Sequence, residues 1–158
     1  NLLLQKTPAD DFTATAKLQL TAKGQNQMGG IIMMGLDYTA LVVKRVGDEF
    51  QLQQITCHKA DKEGVEKIKV LATLKPTSAD KIDYQPAIHE DIYMRMLVSD
   101  GKMKFAFSTD GKKYQTVGDE FTMKEGKWIG AKIGFLAKEP FGKTNRGWID
   151  VDWFRVTK

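Results

Sequence analysis

Residues 97–108, LVSDGKMKFAFS, place Asp100-Gly101 between two extended runs. Glycine accepts positive φ and an aspartate side chain bonds the turn backbone, so the pair predicts a tight β-hairpin. Beyond the turn, Met103, Phe105 and Phe107 alternate with Lys104, Ala106 and Ser108, the period-2 pattern of a strand with one buried face. The pattern recurs on both sides. STDGKKY (108–114) repeats the Asp-Gly turn, and RVGDEF (45–50) turns at Gly47-Asp48 between two apolar runs.

Helical periodicity is nearly absent, and short runs rich in Val, Ile, Thr and aromatics are divided by Gly, Asp, Asn and Pro. Strands are predicted over 2–6, 12–20, 29–35, 38–45, 49–57, 66–74, 91–98, 102–108, 112–117, 119–123, 131–137 and 148–156. This is an all-β chain of the sandwich or barrel kind. GGIIMMGL (29–36) and TALVV (39–43) are apolar on both faces, which puts them at the centre of a sheet. HKADKEGVEK (58–67) reads as an exposed loop, and LKPTSADKIDYQPAIHED (74–91), with two prolines, as irregular.

A chain of 158 residues fits one domain, residues 1–158. With 24 basic and 20 acidic residues the surplus is only +4 and has no dense basic block, so nucleic acid is not an expected partner. No apolar run approaches the roughly 20 residues of a membrane span. Cys57 is the only cysteine, which excludes an intrachain disulfide and suits a small buried filler. The start, NLLLQKTPADDF, lacks a charged n-region and a cleavage pattern, as expected if a signal has been removed or the chain is part of something longer.

Near the C-terminus, WIDVDWF (148–154) carries two aspartates among bulky residues. Strict alternation puts Trp148, Asp150, Asp152, Phe154 and Val156 on one face and Ile149, Val151, Trp153 and Arg155 on the other. Asp150 and Asp152 then lie about 6.6 Å apart along the strand, a spacing a glycosidase acid pair tolerates. No strand pattern supplies a further glutamate, His58 and His89 sit in no triad motif, and two histidines with one cysteine make no zinc site. The residues therefore predict no complete active centre. Asp152 is read first as an anchor of the last strand; a structural Ca2+ is the one ion it leaves open, since calcium takes backbone as well as carboxylate oxygens. No other cofactor is expected. Aromatic residues that could stack on sugar rings are Tyr38, Tyr84, Tyr93, Tyr114, Trp128, Trp148 and Trp153, with Trp128 placed where a loop enters a strand.

Taken together, NLLLQKTPADDFTATAKLQL (1–20), GGIIMMGLDYTALVV (29–43), FSTDGKKYQTVGDEF (107–121), EGKWIGAKIGFLA (125–137) and GWIDVDWFRV (147–156) resemble the C-terminal concanavalin A-like β-sandwich of glycoside hydrolase family 43 β-xylosidases and α-L-arabinofuranosidases. The resemblance implies a two-sheet antiparallel jelly-roll sandwich joined, in the same polypeptide, to an N-terminal five-bladed propeller that carries the catalytic carboxylates. This chain alone is then inactive, within a parent glycosidase that acts on plant cell-wall oligosaccharides. Relatives push an aromatic from the segment matching GKWIG into the propeller's pocket, which makes Trp128, with Lys127 beside it, the pocket-closing or sugar-contacting candidate; Tyr38 is a further sugar-contact candidate. Enzymes of this kind are often exported, so a periplasmic or secreted bacterial location is expected. The alternative is a stand-alone carbohydrate-binding module or lectin-like domain.

Overall fold

A computed structural model describes residues 1–76, 78–82, 85–124, 130–140 and 147–158, with backbone alone for 78–82 and 85–88. Its twelve strands are β1 (Leu2–Lys6), β2 (Phe12–Ala22), β3 (Met28–Met34), β4 (Tyr38–Val46), β5 (Glu49–Cys57), β6 (Glu66–Leu74), β7 (Ser78–Ile82), β8 (Gln85–Ser99), β9 (Lys102–Ser108), β10 (Gln115–Thr122), β11 (Lys132–Lys138) and β12 (Trp148–Thr157). They form two antiparallel sheets. Sheet A runs β1-β11-β3-β4-β5-β6; sheet B runs β10-β9-β8-β2-β12, with β7 also paired to β8. This is the all-β two-sheet arrangement of a concanavalin A-like sandwich.

The two sheets bury their inner faces against each other. Ile31, Met33, Leu41, Leu52 and Ile133 from sheet A meet Leu18, Leu20, Met94, Met96 and Phe105 from sheet B in one cluster. Burying each such side chain contributes about 1.5–3 kcal/mol relative to exposure. The two doubly apolar runs take the central places expected of them, β3 beside β4. Their outer face explains the second apolar set, because Met28, Ile32, Ala40, Val42 and Ile55 make a separate buried cluster on the far side of sheet A.

The Asp100-Gly101 turn behaves as read: β8 and β9 pair with Ser99 opposite Lys102, and both turn residues have positive φ, 50° and 68°. That is the type I′ requirement for a two-residue hairpin.

Three readings change. Within the segment 74–91, read as irregular, residues 78–82 form β7, which pairs with the start of β8 in the register Ser78↔His89 to Ile82↔Gln85. Pro86 is tolerated because β2 begins its pairing with β8 only at Ile88, so the proline blocks no ladder bond on that side. Residues 112–114 belong to a turn, and the two strands predicted over 112–123 are one strand, β10, whose register shifts between Val117 and Phe121. Gly118 (φ 75°) supplies the left-handed residue of that bulge.

The third change concerns β12. Its register with β2 also shifts, between Val151↔Leu18 and Trp153↔Lys17, so Asp152 is an extra residue in a bulge. The alternation therefore inverts at Asp152. Phe154 and Val156 pack inward with Ile149, and Trp153 and Arg155 follow Asp150 on the outer face of sheet B. Asp150 and Asp152 accordingly do not belong to one uninterrupted face with Phe154.

Candidate functional site

A cleft of about 520 Å³ opens between the sheets where β6 of sheet A faces β10 of sheet B. Its floor is Gln54, a buried side chain on β5. Gln54 Nε2 donates to the Asp119 carbonyl (3.0 Å) and to Thr39 Oγ1 (3.3 Å), and its Oε1 accepts from the Asp119 amide (2.7 Å). The bulge at Gly118 exists to make room for it: a Cβ there would lie 2.3 Å from Gln54 Oε1. Lys69 and Asp119 bridge the same edges above, at 2.6 Å.

At one end of the cleft stands Asp37, in the turn between β3 and β4. Its side chain is 2% exposed. Oδ1 accepts from the Lys59 amide (2.8 Å), and Oδ2 accepts from His58 Nδ1 and Lys124 Nζ, both at 2.8 Å. An ionised carboxylate only accepts, so the proton of the His58 bond sits on Nδ1. Burial pushes the Asp37 carboxyl upward, but the bonds from Lys124, His58 and the Lys59 amide outweigh it and hold the group well below the ordinary carboxylate range. His58 also stacks on Phe121 of β10, with ring centroids 6.2 Å apart. One carboxylate thereby ties together three separate segments: the β3–β4 turn, the turn after β5 and the chain leaving β10.

Asp37 thus holds Lys124, which directly precedes residues 125–129 in the chain. Trp128 and Lys127, the leading sequence candidates, lie outside the described residues, as does Tyr84. Tyr38 follows Asp37 in sequence but faces the other way, into the outer cluster of sheet A with Ile32 and Ala40. Its hydroxyl donates to Glu66 Oε1 at 2.6 Å, and burial and then this carboxylate push the phenol well above its usual range. Cys57, opposite Tyr38, is buried as expected.

The two aspartates of β12 have separate partners. Asp150 Oδ2 accepts from Trp148 Nε1 (2.9 Å), and Asp152 Oδ2 pairs with Lys17 Nζ (2.8 Å). The hydrogen bond to Asp152, and then its charge, raise the Lys17 pKa. An ammonium thus stands against one of the two Asp152 carboxylate oxygens. Among the described residues no group of three or more His, Cys, Asp or Glu is placed to hold a metal. Nor is any described helix long and apolar enough to cross a membrane.

Asp37, Lys124 and Gln54 carry no motif, and the sequence reading missed them. The one local signal was a turn, Gly35-Leu36-Asp37, between two strands that are apolar on both faces.

Residues 1–157 match the family described as the β-xylosidase C-terminal concanavalin A-like domain. A curated β-xylosidase from Formosa agariphila is 27% identical over 142 residues, 90% of this chain and 20% of that protein. Among solved structures, a mutant of the GH43 protein BlXynB from Bacillus licheniformis superposes with a TM-score of 0.70 at 14% identity, over 99% of this chain and 29% of the other. A bifunctional GH43-CE protein from Bacteroides eggerthii gives 0.74 at 13% identity, over 99% and 19%. The chain therefore spans between about a fifth and three tenths of the length of these relatives.

Proposed function

Because the chain belongs to the family of β-xylosidase C-terminal concanavalin A-like domains, we propose that it is a non-catalytic accessory domain of a xylan- or arabinan-degrading glycoside hydrolase. In this reading residues 1–158 form one β-sandwich domain that sits beside a propeller of the same polypeptide. Residues 125–129 contribute to closing the propeller's pocket, with Trp128 as the sugar-contacting side chain and Lys127 beside it. The parent enzyme acts on plant cell-wall oligosaccharides outside the bacterial cytoplasm.

The observation that supports this reading is the Asp37–Lys124 contact. A segment that must reach a neighbouring pocket needs a fixed origin, because binding costs rise with every side chain ordered at the moment of contact. Asp37 supplies such an origin on the residue before Glu125. The cleft beside it offers carboxylates, but Asp37 is held by Lys124, His58 and the Lys59 amide, and Asp119 by Lys69. Neither is left as a free acid or base, which accords with chemistry located elsewhere.

The test has two arms. The isolated chain should hydrolyse neither aryl xylosides nor aryl arabinofuranosides, and robust turnover that disappears in Asp152→Ala would overturn the accessory reading. In the full-length enzyme, Trp128→Ala should raise KM for short xylo-oligosaccharides about tenfold, the loss of roughly 1.4 kcal/mol of contact. An unchanged KM removes Trp128 from the pocket. Direct titration of the isolated chain with neutral xylo-oligosaccharides separates the alternative: affinity lost in Trp128→Ala identifies a stand-alone binding module, whereas flat titrations favour pocket closure.

A further inference from the structure

The outer face of sheet B carries an arrangement that pocket closure does not use. In the row Arg95↔Thr15↔Arg155, two arginines flank a threonine on adjacent strands, and in the next row Tyr93 and Trp153 flank Lys17. Each guanidinium is laid on a ring. Arg95 lies 3.5 Å from the centroid of Tyr114 and Arg155 lies 4.6 Å from that of Trp153. The rings are themselves seated: Trp153 leans on Tyr93 at 6.1 Å, and Gly111 of the 108–114 turn approaches Tyr93 so closely that a Cβ would meet its ring at 2.8 Å. Arg95 Nε also donates to Thr15 Oγ1 at 2.9 Å.

The carboxylates of this face already have other partners. Asp152 takes Lys17, Asp91 takes Gln19, Asp150 takes Trp148, and Glu120 takes both Lys102 and Lys104. Among the described residues, no carboxylate pairs with Arg95 or Arg155. A guanidinium stacked by its face keeps its in-plane N–H edge available, and that edge fits a carboxylate in a fork of two hydrogen bonds. The two arginines spring from strand positions about 9.6 Å apart, two inter-strand spacings of about 4.8 Å. This is a span that two linked pyranose rings cover.

We propose that the outer face of sheet B is a binding site for an acidic polysaccharide, in which Arg95 and Arg155 take uronate carboxylates. The exposed indole of Trp148, farther along the same face, offers a ring against which the C–H face of a sugar can pack. The open, extended shape of the strip suits a stiff polymer better than a single small anion. Lys17, on the strand between Tyr93 and Trp153, pairs with Asp152, the extra residue of the bulge beyond which Trp153 faces outward.

Affinity electrophoresis of the 158-residue chain in soluble glucuronoxylan tests this site, with carboxyl-reduced glucuronoxylan and polyglutamate as the comparison polymers. Retardation by glucuronoxylan is expected, weakened at least tenfold by carboxyl reduction and at least fivefold in Arg155→Gln or Arg95→Gln. Arg155 is exposed, so its variant should keep the wild-type melting temperature, and Lys62→Gln, which removes an exposed charge from the turn after β5, should bind as wild type. The proposal is overturned by absent retardation or by equal retardation in the reduced polymer. A loss in Lys62→Gln matching that in Arg155→Gln also overturns it, by reducing the effect to net charge. Tighter binding to polyglutamate overturns the glycan in favour of an acidic protein partner. These readouts involve no hydrolysis, so they stand or fall separately from the accessory role.

Discussion

Asp37 and Asp152 each hold a lysine ammonium at 2.8 Å, yet their side chains are 2% and 60% exposed. Equal distance hides unequal dependence. Asp37 has left water and relies on the whole set of partners, Lys124, His58 and the Lys59 amide, so each is needed to offset its desolvation. Asp152 keeps its solvent, and its lysine replaces water with little net gain. Burial, and not separation, decides which of two ion pairs shapes a fold.

The largest break in this comparison should come from Asp37→Ala, which strands His58 and Lys124 and frees the Lys59 amide. A loss of about 3 kcal/mol is expected, or a fall in Tm of roughly 6–12 °C for a chain of this size. A fall of less than a degree would place Asp37 on a level with Asp152. Acid should sharpen the contrast next. The folded-state pKa of Asp37 is depressed, so its contribution is present above the unfolded value of about 3.9 and is lost as pH falls below it toward the folded value. Denaturant melts of wild type and Asp37→Asn should therefore differ at pH 6 and converge as the pH is taken below 4; a constant gap would count against the carboxylate as the source.

A smaller effect is expected at the 108–114 turn. Asp110 accepts from the amides of Lys113 and Lys112 and from Ser108 Oγ, which bring its carboxyl down to about 2. Asp110→Ala should loosen this exposed hairpin locally, seen as faster amide exchange at Lys112 and Lys113 with global Tm little changed. The smallest effect belongs to Asp152→Asn: a Tm shift within roughly 1 °C, erased by added salt. A chelator should likewise leave Tm in place where Lys17 on Oδ2 is the cation Asp152 holds. A clear drop with chelator would return a structural Ca2+ to Asp152.

What the sequence made legible follows the range of each interaction. Asp100-Gly101 announces its hairpin because a turn is specified within four residues. The central positions of β3 and β4 are equally visible, since apolarity on both faces is written along each run. The bulge at Asp152 is not, because nothing in WIDVDWF marks the point where alternation inverts; the shift is set by pairing with Leu18 and Lys17, more than 130 positions away. The strand β7 was hidden by the prolines on either side of it, Pro76 and Pro86. The Asp37 cluster was hidden most completely, for it joins residues 37, 58, 59 and 124, each unremarkable alone. Trp128 and Lys127 drew notice through a family resemblance, while the Arg95–Arg155 row needed the register of three strands to be seen.

Gln54 has a consequence for the order of events in folding. It bonds Asp119 across 65 positions of chain and joins β5 of one sheet to the edge strand β10 of the other, so closing that contact early would fix a long loop before local hairpins reward it. The bond should therefore form after the transition state. Replacing Gln54 with Ala should accelerate unfolding in stopped-flow measurements while leaving the refolding rate nearly unchanged. In that sense the bridge acts as a latch on the native state's lifetime and contributes little to the speed of reaching it.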